Sequence, residues 1–188
     1  MKDLKETENL YRENPENHRT IIDVALDTYL EFFHEWDNAA FRKRDMHPEL
    51  AEFLDICSQD IPMRKALEIQ FFVNAGELDS KKEQLVTTSF KNYYLSLYRN
   101  EKRRVRRILK RSLALMCIAL VLILFYAVLH AGIVRALWFS VLLEGLHIGG
   151  WVFMWESFHL AFFDSLEPMK RKQEMKRLYL ANLRFRSN

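Results

Sequence analysis

Residues 113–129 read LALMCIALVLILFYAVL, a stretch with no charge and no strongly polar side chain. From Ser112 to Val134 the uncharged run covers 23 residues. At 1.5 Å of rise per residue such a helix is about 34 Å long, enough for a hydrocarbon core of about 30 Å. A soluble helix of that length keeps a polar face, and this one has none. The run therefore reads as a membrane helix.

Outward from it the pattern repeats. A short turn around Ala131-Gly132 leads into a second apolar segment over 134–163, so the two form a hairpin. Lys and Arg crowd the outer side of both segments. Arg103, Arg104, Arg106, Arg107, Lys110 and Arg111 precede the first, and a basic helix over 166–185 follows the second. The turn between the segments holds only Arg135. Because Lys and Arg stay on the cytoplasmic side, both termini are expected in the cytoplasm. The basic cluster is then an orientation signal that also suits anionic lipid. Trp138, Trp151 and Trp155 are expected as interfacial anchors.

Charge is divided along the chain. Residues 1–79 carry 9 Lys/Arg against 18 Asp/Glu, whereas 80–188 carry 19 against 7. The sequence pI near 8.8 thus arises beside the apolar runs and does not point to nucleic acid. No apolar stretch opens the chain, so no cleaved signal peptide is expected. Cys57 and Cys117 fall in different parts of the chain, and no disulfide between them is expected.

Residues 1–18 read as flexible, and 19–79 as a small cytosolic α+β domain. Within it, Ile22, Ala25, Leu26, Tyr29, Phe33 and Trp36 recur at helical spacing and predict a helix over 19–41. Pro48 opens a second helix with Leu50, Phe53 and Leu54 inward. Residues 65–73, KALEIQFFV, form the single convincing strand, closed by Asn74-Ala75-Gly76. A lone strand needs partners for its N–H and C=O groups. Pairing with its copy in a neighbouring subunit is favoured over an extended segment pinned on helices. Ser80 and Glu83 make a capping box. No breaker then occurs before Gly132, which predicts one helix of about 50 residues, juxtamembrane over 80–111 and transmembrane over 112–134. Residues 164–188 are expected as a basic cytosolic helix, with Asp164-Ser165 breaking and recapping the chain before Pro168.

The second apolar segment holds the chemistry. Glu144 falls near the middle of the bilayer with His147 one turn deeper, and ionisable groups there are costly. Two readings stay open. A ring of Glu144 carboxylates around an oligomer axis could attract cations, or Glu144 could be hydrogen-bonded glue for assembly. Gly145 and Gly149 form a G-x-x-x-G pair that admits another helix closely. Glu144/His147 and Glu156/His159 are also two E-x-x-H pairs, the spacing with which di-iron proteins ligate metal. They sit 12 residues apart on one helix, so one centre could use both only across several subunits. There is no phosphate-binding glycine loop, C-x-x-C or H-E-x-x-H, and His34, Trp36 and His47 read as structural. No cofactor is expected.

The stretch 144–156, EGLHIGGWVFMWE, resembles the second membrane helix of a group of small bacterial two-pass membrane proteins of uncharacterised activity. They share I-G-G-W-x-x-x-W, here Ile148-Gly149-Gly150-Trp151 and Trp155, followed by a basic tail. The resemblance covers about residues 144–180. It implies a bacterial inner-membrane location and brings no catalytic residues with it.

The expectation is a mainly α membrane protein, homo-oligomeric, with a cytosolic domain that binds a protein partner. Three functions fit it: a sensor or effector coupled to a membrane assembly, ion-conducting in one form; a non-conducting adaptor; and an intramembrane metalloenzyme using the E-x-x-H pairs. Flux lost in Glu144→Ala, silent liposomes with a co-purifying protein, or stoichiometric bound metal would separate them.

Overall fold

The computed structural model describes residues 11–33, 46–74, 79–130 and 137–187. The expected roles of His34 and Trp36, and the turns at Ala75-Gly76 and Ala131-Gly132, lie outside these residues. The chain divides into two compact units, 1–99 with 172–188, and 100–171.

The first unit is built on a three-stranded parallel sheet in the order β1-β2-β3. Its strands are β1, Thr20–Leu26, β2, Leu67–Val73, and β3, Asn182–Ser187. β2 pairs on both sides, with Ile22 opposite Ile69 and Ile69 opposite Leu183. This corrects two expectations. The segment TIIDVAL is a strand rather than the start of a helix over 19–41, and among the described residues up to Phe33 a 3-10 turn, Tyr29–Phe32, follows it. Thr20, Ile21, Ile22 and Val24 are β-branched and fit a pleated surface. Ile22, Val24 and Leu26 are buried at period two, a pattern that the i, i+3, i+4 reading overlapped. The strand at 67–73 therefore has its partners within the chain, and intersubunit pairing is not required to satisfy it.

The second partner comes from the far end of the sequence. The basic C-terminal segment is not all helix. It stops at Tyr179, and NLRFRS then forms β3. β2 and β3 are parallel, so a crossover must join them. Here that crossover holds the whole of 80–179, both apolar runs included.

One hydrophobic core lies on one face of the sheet. It joins Ile69 and Phe71 of β2 to Leu54 of helix α1, Pro48–Asp60, to Val86, Phe90 and Tyr94 of helix α2, Ser80–His130, and to Met175 and Leu178. On α1 the inward residues are Ala51, Leu54, Cys57 and Ser58; Phe53, expected inward, is 44% exposed. Phe185 stacks on Phe71 at 5.4 Å between ring centroids, which seats β3 on the central strand. Arg177 is buried and donates to the carbonyls of Ile61 (2.9 Å), Pro62 (2.9 Å) and Ser58, closing the open C-terminal end of α1.

Helix α2 is 51 residues long and unbroken, as the absence of Gly and Pro over its length predicts. Its cap is one residue earlier than expected. The Asp79 carboxylate accepts the Lys81 N–H at 2.8 Å, and the Asp79 carbonyl accepts the Glu83 N–H at 2.9 Å. Asp79, not Ser80, is the N-cap. Asp79→Ala should cost about 1 kcal/mol and speed amide exchange in the first turn, while Ser80→Ala leaves both unchanged. Exchange mass spectrometry of the 80–85 region checks this.

The second unit is an antiparallel pair, the 100–130 part of α2 against helix α3, Leu137–His159. Each is long and apolar enough to cross a membrane. Only 11% of the most apolar window of each is buried. Leu113, Leu120, Val121, Leu124 and Phe125 on one helix, and Leu137, Val141, Leu142 and Val152 on the other, face outward. The end of α3 is also corrected. Asp164-Ser165 does not break the chain. A π turn, Leu160–Asp164, carries it into helix α4, Leu166–Tyr179, and the Ser165 hydroxyl donates back to the Ala161 carbonyl at 2.6 Å.

Candidate functional site

Two polar constellations stand out among the described residues, one in each unit.

In the apolar hairpin the residues buried between the helices recur every seven positions. Val105, Ser112 and Ala119 are buried on α2, and Leu143, Gly150 and Ser157 on α3. A strict seven-residue repeat keeps one seam facing its partner. Ser112 and Ser157 lock the seam reciprocally. The Ser112 hydroxyl donates to the Ser157 carbonyl at 2.9 Å, and the Ser157 hydroxyl to the Ser112 carbonyl at 2.8 Å. At Gly150 an added Cβ would lie 2.8 Å from Ile123 Cγ1 and 3.5 Å from the Ala119 carbonyl oxygen. The close approach within the hairpin is thus at Gly150. Gly145 and Gly149 have nothing within 4 Å of an added Cβ. The seven-residue spacing of Ser112, Ala119, Gly150 and Ser157 was visible in the sequence, but the G-x-x-x-G pair masked it.

His147 sits at the edge of this seam. Its ring stacks on Tyr126 of α2, centroids 4.5 Å apart and planes 8° from parallel. Trp151 Nε1 donates to His147 Nε2 at 3.0 Å. An indole N–H can only donate, so Nε2 is an acceptor and the neutral imidazole carries its proton on Nδ1. Nδ1 faces Glu144 Oε1 at 3.7 Å, longer than a hydrogen bond. The Glu144 side chain is 61% exposed on the outer surface of the helix.

This geometry bears on the metal reading. Ligation through Nδ1 would need its lone pair free and the proton on Nε2, where it would meet the Trp151 N–H. In the second pair His159 Nδ1 lies 3.6 Å from Asp164 Oδ1, and its ring lies against Phe163. Among the described residues no group of three His, Cys, Asp or Glu side chains is gathered. Glu144, His147, Glu156 and His159 do not converge on one centre within the chain.

The remaining expected residues sit on the surface of the same unit. Trp138, Trp151 and Trp155 are exposed, as are Arg103, Arg104, Arg106, Arg107, Lys110 and Arg111.

In the sheet unit the second constellation surrounds Glu68, which is wholly buried on the sheet face opposite the core. Glu68 Oε1 accepts from Asn14 Nδ2 at 2.9 Å and lies 3.2 Å from Arg184 Nε. Oε2 accepts from Asn17 Nδ2 at 2.9 Å and Asn182 Nδ2 at 3.4 Å. Burial pushes this carboxyl up; the three amides and the Arg184 guanidinium outweigh it and hold the group below its usual range. The amides are themselves fixed. The Asn14 Oδ1 accepts the Glu16 N–H, and the Asn17 Oδ1 the Arg19 N–H, both at 3.0 Å. These Asx turns order residues 14–19, part of the segment expected to be flexible. Every lone pair of Glu68 has a protein donor, so the cluster is a latch and not an open site. It ties the N-terminal turn, the central strand and the C-terminal strand together. Only Glu and Gln inside an otherwise apolar strand, LEIQFFV, hinted at it.

Comparison with known proteins finds no family model, no curated protein and no solved structure that matches this chain.

Proposed function

We propose that the chain is a two-pass inner-membrane sensor or effector. Its α/β unit binds a cytosolic ligand or partner, and its hairpin assembles with copies of itself into a membrane complex. The observation that carries this reading is α2. One helix without a break contributes Val86, Phe90 and Tyr94 to the core of the sheet unit, and 30 residues on supplies an apolar span with outward-facing side chains. An unbroken helix cannot bend freely, so a shift of its packing on the sheet is passed along its axis. The outward apolar belt supports membrane residence, because a helix in a soluble core is covered. Lys and Arg on the 80–111 and 164–188 flanks support both termini in the cytoplasm and contact with anionic lipid. A bacterial inner membrane is what the likeness of the 144–180 stretch implies.

Glu144 supports assembly. A carboxylate 61% exposed on an apolar span is costly in lipid, and Gly145 and Gly149 beside it leave room for another helix. Native mass spectrometry of the nanodisc-held protein tests this. The expected result is one closed oligomer of about four or more chains that dissociates in Glu144→Ala, with cation flux in liposomes lost in the same variant. Monomers in both proteins would overturn the assembly and leave a membrane adaptor.

A further inference from the structure

The sheet unit contains a cleft of about 570 Å³ whose charged lining residues are all cationic. Arg19, Arg64, Lys65, Lys176 and Arg177 line it, and no Asp or Glu does. This is unexpected in its setting, since residues 1–79 carry twice as many acids as bases. The floor is apolar, with Met63, Leu67 and Leu180. We propose that this cleft is a binding site for a small molecule bearing two or more phosphate groups, its anionic part held by Arg19, Arg64, Lys65 and Lys176 and its remaining part lying on the apolar residues, while Arg177, engaged by the Ile61, Pro62 and Ser58 carbonyls, fixes the loop behind them. The inference rests on the sensor reading and names the ligand class that the α/β unit would sense.

The architecture presents these side chains from three directions. The loop between α1 and β2 turns tightly, with the Lys65 N–H donating to the Pro62 carbonyl at 2.9 Å, and it carries Arg64 and Lys65. Arg177 holds that loop from behind through the Ile61 and Pro62 carbonyls. Lys176 precedes it on α4, where Gln173, Lys176 and Leu180 share a face at i, i+3 and i+7. Arg19 enters from the turn before β1, its guanidinium 3.4 Å from the Leu67 carbonyl. Lys176 and Arg177 also favour the C-terminal end of α4, which accounts for two of the five but not for Arg19, Arg64 and Lys65. A concave site lined by one sign of charge focuses the field and concentrates counter-ions. Guanidinium groups suit phosphate oxygens in geometry, and a volume of this size is in the range of small-molecule sites, about 300–1,000 Å³.

The same chemistry is offered by soluble phosphate esters and by anionic lipid headgroups, and the test separates them. Titration calorimetry is run on the complete chain in zwitterionic nanodiscs with pyrophosphate and with ATP as probes. Saturable binding that weakens with salt is expected. It should fall at least about tenfold, or 1.4 kcal/mol, in Lys65→Ala/Lys176→Ala, with the melting temperature of the double variant read beside it to show that the fold is kept. If neither probe binds, but nanodiscs containing phosphatidylglycerol stabilise the wild type and not the double variant, the site takes a single lipid phosphate and the class with two or more phosphates is overturned. No response to either, or an undiminished response in the double variant, overturns the site. Oligomer mass is read separately, so failure here leaves the assembly untouched, and failure of the assembly leaves this binding measurable.

Discussion

Glu68→Ala should release both ends of the sheet unit at once. The substitution takes the shared acceptor from the Asn14, Asn17 and Asn182 amides and from Arg184, which keeps Glu16 Oε2 at 3.2 Å; the buried Asn14 amide is left without its acceptor. A buried donor left unsatisfied costs about 1–3 kcal/mol, and that cost falls mainly on Asn14, because Arg184 is 35% exposed and retains Glu16. Glu68→Gln restores the shape but not the charge, and its own amide meets three amide donors, so it should recover only part of the loss. Amide exchange at 11–19 and 182–187 should rise together in Glu68→Ala, while the Ser112–Ser157 seam stays protected. Exchange confined to one of the two segments would mean that the carboxylate does not join them. The pH dependence follows from the same cluster. The folded carboxyl sits below its unfolded value, so its stabilisation is complete above the unfolded value and is lost as pH falls through the folded one. Acidification below about pH 4, near the unfolded glutamate value, should therefore begin to loosen β3 in the wild type and have no such effect in Glu68→Gln.

The second large effect is expected at Gly150. In Gly150→Leu the side chain must enter space filled by Ile123, with the Ala119 carbonyl oxygen close behind. Overpacking of this kind costs about 1–3 kcal/mol, and in a two-helix seam there is little else to absorb it. Gly150→Ala should already weaken the seam, though less than Leu, because its Cβ would lie 2.8 Å from Ile123 Cγ1 on a β-branched side chain that is stiff at χ1. Gly145→Leu and Gly149→Leu should leave the hairpin closed, having open space around them. Paired Ser112→Cys and Ser157→Cys report the outcome, since these residues face each other across the seam. Their disulfide should form readily with Gly150 present and fail with Leu there. Equal cross-linking in the Gly150→Leu and Gly149→Leu proteins would place the closest approach elsewhere. An oligomer lost in Gly149→Leu with the hairpin intact would assign the outer glycine face to neighbouring copies.

What could be read from the sequence is what depends on neighbours along the chain. The 51-residue α2 follows from an absence of breakers, and its two-part character from where charge stops at Arg111. The strand at 67–73 follows from alternation and β-branching, and the apolar runs from length alone. The cap was displaced by one residue because Asp79 and Ser80 are both good caps and only geometry chooses between them.

What only the tertiary structure decided is where distant segments meet. TIIDVAL carries a helical and a strand periodicity together, and an adjacent parallel strand at Leu67–Val73 selects the second. NLRFRS has two arginines and reads as the tail of a basic helix. It becomes a strand because β2 offers an unpaired edge and Glu68 offers a buried charge for Arg184. Neither offer is visible from residues 182–187, since both lie more than a hundred positions earlier. The cationic cleft has the same origin: Arg19, Arg64 and Lys176 are ordinary surface charges in the sequence, and only folding brings them to one cavity. Backbone hydrogen bonds and buried charges must be satisfied by whatever is near in space, and nearness in space is what the order of residues leaves unstated.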